Sequence, residues 1–184
     1  MKYCSIDIET CGLDPETCDV LEIGAVIDDW FDPKPLDQLP KFHCYISQKS
    51  YRGQPFALGM HAEIFKRISV EKQPHKYYTD FGTVCALKEF LALKFGDEKI
   101  SVAGKNFSSF DLNFLKKMPY FDTIKLHHRV FDPSSLYFEL GDKELPSSKL
   151  CMERAGMQGE VAHTAVEDAM MVVKLLRKHY KIGE

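Results

Sequence analysis

Two acidic residues, Asp7 and Glu9, lie two positions apart in the apolar segment "SIDIET" near the start of the chain. Alternate residues of a β-strand share a face, so both acids are predicted on one face, opposite Cys4, Ile6 and Ile8. Adjacent like charges repel each other, and solvent or a counter-charge must relieve this repulsion. The face is therefore either a solvated surface or a site for a hard divalent cation, which prefers converging carboxylate oxygens.

A third acid, Asp111, lies in the segment "NFSSFDLNFLKKM", which is predicted to be a helix. At helical spacing it shares a stripe with apolar residues, so its side chain is expected to be drawn inward, where a carboxylate needs a partner. The apolar members of the stripe are Phe107, Phe114, Leu115 and Met118. The alternative is an ordinary acid of the first helical turn, favoured by the helix dipole or acting with Ser108 as a capping box.

His163 and Asp168 form the last pair of candidate residues, in "AHTAVEDAMMVVKLL". Five residues at about 100° each leave them roughly 140° apart on an ideal helix, so one continuous helix would not bring them together. Thr164 and Glu167 have the spacing of a capping box, which predicts Thr164 as the N-cap. His163 then lies at N′ and Asp168 at N4, the positions whose side chains meet in a hydrophobic staple. An exposed His163 in a polar variant of ordinary capping fits the pattern equally well.

Together these residues supply four carboxylates and one imidazole. Two divalent cations carry four positive charges, which would balance the carboxylates and relieve the repulsion between Asp7 and Glu9. Such a pair of metal ions stabilises the attacking and the leaving oxygen in phosphodiester hydrolysis. A histidine, with an unperturbed pKa of about 6.5, suits the role of general base towards a nucleophilic water. The set therefore predicts a metal-dependent phosphodiesterase.

The elements that must position these residues are strands first, then helices alternating with shorter strands. Short connections between the first three strands favour an antiparallel meander, and the later alternation favours parallel strands. This order predicts an α/β fold with one mixed sheet flanked by helices, in a single domain spanning residues 1–184. The predicted strands lie in "KYCSIDI", "DVLEIGAVIDDW", "FHCYIS", "KISVAG" and "HHRVF". Two clear helices are predicted from about Asp80 and from Ala165, whereas 51–74 mixes loop and helix signals.

Composition narrows the class of protein. The chain has 184 residues and a formal net charge of −3, so any attraction to phosphates must be local rather than global. The six cysteines show no zinc-binding spacing and are predicted to be free, mostly buried thiols. No apolar run is long enough to span a membrane and the start lacks a signal-peptide pattern, so a cytoplasmic location is expected.

Three segments of the chain resemble the motifs of the DEDDh 3′–5′ exonucleases. They are "SIDIETCGLDPETCDVLEIGAV", "NFSSFDLNFL" and "HTAVEDA". The resemblance covers the outer thirds of the chain well and 33–98 poorly. It implies a ribonuclease H-like fold with a mixed five-stranded sheet, two Mg²⁺ ions per site that Mn²⁺ can replace, and release of nucleoside 5′-monophosphates from 3′ ends of single-stranded nucleic acid. The feature most specific to the His-type group is that four residues separate His163 from Asp168. The sister subgroup has a tyrosine instead, with three residues before its Asp.

The resemblance also implies a role for each residue of the set. Asp7 would bridge both metal ions, Glu9 and Asp168 would bind the metal on the side of the nucleophile, and Asp111 would bind the other. His163 would activate the water.

Further residues are implied as substrate contacts. The backbone of Thr10 would meet the terminal hydroxyl, Leu13 would pack on the last base, and Asn106 would help to position the strand. His61 and Met60 are either substrate contacts or ordinary loop residues. Among basic residues, Lys116, Lys117 and Lys125 are candidate contacts of the nucleic-acid backbone. The basic residues of the last helix, Lys174, Arg177, Lys178 and Lys181, are interpreted as a solvated face.

Other functions stay open at this stage. A non-catalytic nucleic-acid-binding or scaffold module on the same fold would not need every acid, and a ribonuclease H-type endonuclease would use the same acids and metals but cut internally. The sequence does not decide between DNA and RNA, because that choice rests on contacts to the 2′-hydroxyl. Several relatives are homodimers, and the sequence leaves the oligomeric state undecided.

Overall fold

The computed structural model of the chain describes residues 1–158 and 164–183. The strands in these residues are β1 (Lys2–Thr10), β2 (Val20–Asp29), β3 (Lys41–Ile46), β4 (Tyr77–Tyr78), β5 (Ile100–Ala103) and β6 (Leu126–Phe131). The helices are α1 (Pro55–Met60), α2 (Ala62–Val70), α3 (Asp80–Phe95), α4 (Asp111–Leu115), α5 (Pro133–Leu136), α6 (Ser148–Arg154) and α7 (Ala165–Tyr180). Two short 3₁₀ helices span Leu36–Gln38 and Phe121–Thr123.

The strands form one mixed sheet in the order β4-β3-β2-β1-β5-β6. β1, β2 and β3 are antiparallel neighbours, whereas β5 pairs parallel with β1 and β6 pairs parallel with β5. The predicted meander followed by parallel strands is confirmed. The predicted number of five strands is one too few, because β4 has only two residues, paired parallel with β3, and so short a strand leaves no alternating pattern.

Strand β1 lies between β2 and β5 and shows the predicted alternation of side chains. Ile6 and Ile8 are buried in the larger apolar cluster, together with residues of α3 and α4. Tyr3, on the other face, packs with residues of α7. Asp7 and Glu9 share the face of Tyr3 because they too occupy odd positions of the strand. The apolar face therefore fixes the strand in the core, and its acidic end lies on the side of α7.

Gly24 allows α7 to approach the sheet at the level of the acids. It is the direct cross-strand partner of Asp7. A Cβ atom at this position would overlap the backbone nitrogen of Val166 and the carbonyl group of Ala165, well inside the 3.0 Å that real Cβ contacts respect. A residue without a side chain is therefore needed where the first turn of α7 crosses β2.

Helix α7 begins at Ala165, as the sequence predicts, with Thr164 as its N-cap. Its far end is anchored by Arg177, whose Nε and Nη2 donate to the two carboxylate oxygens of buried Asp28 at 2.9 and 2.5 Å. Tyr3 Oη donates to the same carboxylate at 3.1 Å. The interpretation of Arg177 as part of a solvated face is therefore wrong, since its guanidinium neutralises an acid beneath the helix.

Helix α4 is shorter than predicted and begins at Asp111. Asn106 adopts a left-handed conformation with φ +56°, and its carbonyl oxygen accepts hydrogen bonds from the backbone nitrogens of Ser109 and Phe110. This turn interrupts the helical pattern before Asp111. No side-chain hydrogen bond caps α4, so the alternative in which Ser108 forms a capping box does not apply.

All six cysteines are free and five of them are buried, as predicted. Within residues 1–158 and 164–183, none of the helices combines the length and apolar character that crossing a membrane would require.

Candidate metal centre

Three carboxylates converge beside the end of β1. Ligand oxygens of Asp7, Glu9 and Asp168 all lie within 4.8 Å of one another. Two of the acids come from one strand face. The third comes from the first turn of α7, which Gly24 admits and Thr164 begins. The structure thus brings together residues that are about 160 positions apart in the chain, and we refer to these three as the acid cluster.

Asp111 joins the acid cluster from the neighbouring helix. Its Oδ1 accepts a hydrogen bond from the backbone nitrogen of Ile8 at 3.1 Å, and the residue is only 4% exposed. This bond links the start of α4 to β1 near the end of the strand and explains why the acid is drawn inward. A cavity of about 260 Å³ connects all four acids. Its lining residues are Asp7, Ile8, Glu9, Lys105, Asn106, Phe110, Asp111, Ser148, Asp168, Met171 and Val172.

The four carboxyl groups hold their protons unusually tightly in the absence of a cation. Burial, reinforced by the neighbouring acids, raises the pKa of Asp7 well above its ordinary value. Burial, with Glu22 and the other acids, raises the pKa of Glu9 to about 8. The pKa values of Asp111 and Asp168 are each raised to about 7, again chiefly by burial. Desolvated like charges that destabilise one another are the pattern expected of a cation site.

A carboxylate oxygen without a hydrogen-bond partner indicates whether these four acids suit a metal ion. Oδ1 of Asp168 is buried and has no hydrogen-bond partner among the described residues. A buried carboxylate oxygen without a partner is costly, and a bound cation would satisfy it. The donors are all carboxylates, which suits Mg²⁺ or Mn²⁺ better than a soft metal. The acid cluster together with Asp111 therefore fits divalent cations.

A fifth acid, Glu22, lies next to Glu9, and no motif in the sequence predicts it there. It is the direct cross-strand partner of Glu9 and is fully buried. Its Oε1 lies 2.6 Å from Nε2 of His43, whereas its Oε2 has no partner among the described residues. Its charge contributes to the raised pKa values of Asp7, Glu9 and Asp168. The register of β1 against β2 would have revealed it, because an acid two residues before Gly24 must lie beside Glu9.

His61 lies at the site rather than in a remote loop. It is 6% exposed, forms the N-cap of α2, and its Nε2 is 3.5 Å from Oε2 of Glu9. Met60, which precedes it, is 59% exposed. Helices α1 and α2 fill the segment that the sequence left undecided, and their junction borders the acid cluster.

The predicted substrate contacts occupy three different environments. Thr10 is buried and its hydroxyl donates to the carbonyl oxygen of Gly12 at 2.7 Å. Leu13 is 74% exposed at the surface of the following loop. Asn106 is exposed and lines the acidic cavity, with its backbone nitrogen held by Asp132 at 2.9 Å. Of the basic candidates, Lys117 forms an ion pair with Glu16.

His163 lies outside the described residues, so the predicted pairing of His163 with Asp168 stays a prediction. The adjoining Thr164 and Glu167 do not complete a capping box through the backbone. Instead, the hydroxyl of Thr164 donates to Oε2 of Glu167 at 2.5 Å.

Comparison with known families identifies the class. The family model RNase_T, described as Exonuclease, matches residues 4–176, and the chain belongs to this exonuclease family. The assignment agrees with the ribonuclease H-like sheet and with the resemblance found in the three sequence segments. No curated protein sequence matches the chain.

Solved structures share the fold at low sequence identity. The E. coli Exonuclease I complex with a dT13 oligonucleotide has a TM-score of 0.69 and 15% identity, over 98% of this chain and 42% of that one. The zinc-bound E. coli Exonuclease I complex with single-stranded DNA has a TM-score of 0.70 and 16% identity, over 100% of this chain and 41% of that one. Cell-death related nuclease 4 has a TM-score of 0.66 and 16% identity, over 99% of this chain and 64% of that one. The chain thus spans less than two thirds of each of these proteins.

Proposed function

We propose that the protein is a metal-dependent 3′–5′ exonuclease that hydrolyses single-stranded DNA or RNA, including short oligonucleotides, and releases nucleoside 5′-monophosphates. The observation that carries the proposal is the convergence of the Asp7, Glu9 and Asp168 oxygens within 4.8 Å, beside Asp111 on one cavity. We further propose that residues 1–184 act as one exonuclease domain in the cytoplasm.

Dependence on divalent cations is implied by the exonuclease family and by the all-carboxylate donor set. Asp7, Glu9, Asp111 and Asp168 would hold two Mg²⁺ ions, for which Mn²⁺ would substitute. When bound, such a pair supplies charge stabilisation to the attacking and the leaving oxygen of the scissile phosphate.

The chain's own residues would perform the remaining tasks. His163 would accept the proton of the attacking water. Thr10 would present its backbone to the 3′-terminal hydroxyl, Leu13 would cover the terminal base, and Asn106 would steady the strand on the far side of the cavity. Leu13 and Asn106 are exposed and Asn106 lines the acidic cavity, which supports these assignments, because a substrate must reach them from solvent.

A 5′-labelled single-stranded oligonucleotide, incubated with Mg²⁺ or Mn²⁺, provides the test. The native protein should shorten the strand one residue at a time from the 3′ end, and excess EDTA or the Asp168→Asn change should abolish the reaction. Internal fragments without early mononucleotide would instead indicate an endonuclease. A folded protein that binds the strand but releases no product with either metal would indicate a binding module.

The proposed role of His163 as general base is tested with a separate variant. His163→Ala should lower turnover while leaving Mn²⁺ affinity, measured by calorimetry, close to that of the native protein. A collapse of Mn²⁺ affinity would show that His163 is a ligand and that its assignment as base is wrong.

A further inference from the structure

A row of side chains leads across the sheet from the acid cluster to the edge strand β4. Its members, each the direct cross-strand partner of the next, are Glu9, Glu22, Tyr45 and Tyr77. Direct partners share a face, so the whole row lies on the face that carries the acids. Three strand spacings separate Glu9 from Tyr77, a distance of roughly 14 Å.

Aromatic rings form the outer half of this row. Tyr45 and Tyr77 are stacked, with ring centroids 5.5 Å apart and an interplanar angle of 28°. His75 contacts Tyr45 edge to face at 5.4 Å. Tyr45 is fully buried, whereas His75 and Tyr77 are partly exposed. The buried ring thus supports two flat rings that reach solvent.

Cationic side chains border the exposed rings. A cavity of about 360 Å³ beside them is lined by three cationic residues, Lys66, Arg67 and Lys72. Among the described residues, its lining contains a single acid, Glu63. Lys66 lies 3.7 Å from Glu63. Arg67 is held in place, because its Nη1 donates to the hydroxyl of Tyr45 at 2.6 Å. The lining therefore carries an excess of positive charge in a protein whose net charge is −3.

Helix α2 connects this surface to the acid cluster. His61 at its N-cap lies 3.5 Å from Glu9, and Arg67 follows six residues later, about 9 Å along the helix axis. The cations and rings thus lie on the face of the sheet that carries the acid cluster, with Tyr77 roughly 14 Å from Glu9. Because Glu22 and Tyr45 between them are fully buried, a strand with its end at the acids would pass above these two residues to reach the rings.

We propose that Lys66, Arg67, Lys72, His75 and Tyr77, here named the α2–β4 surface, bind internal nucleotides of a single strand whose 3′ end lies at the acid cluster. The proposal rests on the proposed exonuclease function. Cations that attract phosphates, beside rings on which bases stack, are the chemistry that recognises single-stranded nucleic acid without sequence preference. At about 3.4 Å per stacked nucleotide, 14 Å corresponds to roughly four nucleotides, so dinucleotides would not reach this surface.

The charge component is tested with the double variant Lys66→Gln/Lys72→Gln. Both side chains are exposed, so the variant should fold. The matched control is Lys88→Gln/Lys94→Gln, which removes two exposed charges from α3. This helix packs on the opposite face, since its Thr83 contacts Cys44, whose side chain points away from that of the adjacent Tyr45. Binding of a fluorescent oligothymidylate of more than about eight nucleotides is measured by anisotropy in EDTA, which prevents hydrolysis.

The surface variant should bind the oligothymidylate about 5- to 10-fold more weakly than the control, with a salt slope lower by roughly 1.4 for two lost phosphate contacts. Equal affinity and equal slope for the two variants would overturn the proposal. If the surface variant lost affinity for a polyglutamate peptide to the same extent, the proposal would also be overturned, because the surface would then recognise anions in general.

The stacking component is tested at Tyr77. Tyr77→Leu should weaken binding about fivefold or more, whereas Tyr77→Phe should restore it, because the ring and not the hydroxyl contacts the base. Equal affinity of the Leu and Phe variants would rule out stacking. Thermal unfolding shows whether the Leu variant is folded, and the lysine variants decide the proposal if it is not.

Kinetic measurements distinguish failure of this proposal from failure of the exonuclease function on which it rests. In the lysine variant, the ratio of kcat/KM for the long strand to that for a dinucleotide should fall, and the control should keep the native ratio. If the native protein hydrolyses neither substrate, the exonuclease proposal fails, and binding in EDTA still reports on the α2–β4 surface.

Discussion

Gly24 of β2 and Val166 of α7 are in backbone contact at the point where the helix crosses the sheet. A Cβ atom on Gly24 would overlap the backbone nitrogen of Val166. Gly24 is also the cross-strand partner of Asp7, and Asp168 follows Val166 by two residues. The absence of one side chain on β2 thus sets the separation between acids from opposite ends of the chain.

Gly24→Ala should therefore damage both stability and the acid cluster. Because backbone atoms cannot move aside as a flexible side chain can, we expect a loss of about 1–3 kcal/mol in the free energy of unfolding and weaker Mn²⁺ binding. Chemical denaturation and calorimetry measure the two effects. Gly59→Ala is the matched control, since a Cβ there meets nothing within 4 Å and should stabilise α1 slightly. Native Mn²⁺ affinity in Gly24→Ala would contradict this account.

Two changes at Asp111 separate its hydrogen bond from its charge. Asp111→Asn keeps an oxygen that can accept from the backbone nitrogen of Ile8, whereas Asp111→Ala leaves that buried N–H unpaired. The Ala variant should thus be less stable than the Asn variant by about 1–3 kcal/mol in urea unfolding. Nuclease activity should be lost in both. Equal stability of the two variants would show that the bond to Ile8 contributes nothing.

Asp7→Asn should exchange metal binding for stability of the metal-free protein. At pH 8 the carboxyl group of Asp7 must either ionise beside other acids or take up a proton, and both cost free energy, so a neutral amide should raise the melting temperature in EDTA. The rise that Mn²⁺ causes in the native protein should disappear, and activity should fall by more than the roughly 10–100-fold typical of an outer-shell change. Asp97→Asn, at an exposed acid, should leave all three properties unchanged.

Stability of the metal-free protein should decrease between about pH 4 and pH 8. In the folded state Asp111 and Asp168 have pKa values of about 7 and Glu9 of about 8, above ordinary values of 3.8 for Asp and 4.5 for Glu. Over this interval the folded state binds more protons than the unfolded chain, so raising the pH favours unfolding. Urea unfolding at several pH values in EDTA should show the decrease, and saturating Mn²⁺ should reduce it. A stability that rises through this range in EDTA would contradict the raised pKa values.

Arg177 should prove structural rather than a substrate contact. Arg177→Met leaves the buried carboxylate of Asp28 with only Tyr3 as a described side-chain partner, at an expected cost of about 3–5 kcal/mol in the free energy of unfolding. Lys174→Met, on the exposed side of the same helix, should change stability by no more than about 0.5 kcal/mol. Native stability combined with weaker oligonucleotide binding in Arg177→Met would reverse the assignment.

Sequence patterns predicted the elements whose packing follows a simple period. Strand β1 alternates as expected, and α7 begins directly after Thr164 as predicted, although the hydroxyl of Thr164 binds the side chain of Glu167 and caps no backbone N–H. The patterns failed where the backbone departs from a period. The left-handed turn at Asn106 shortens α4, and β4 is too short to alternate. Glu22 was missed because a single acid in an apolar strand carries no signal until the strand register places it beside Glu9.

The sequence by itself determined that Asp7 and Glu9 share a face, because residues two apart on a strand must do so, and that α7 begins directly after Thr164. Only the tertiary structure decided that the ends of β1 and α7 meet. That meeting depends on the space above Gly24 and on the Arg177–Asp28 anchor, which are contacts between residues far apart in the chain. The exposed rings and cations at β4 likewise become one surface only through the order of the strands, since the packing of a distant segment is not encoded in any local period.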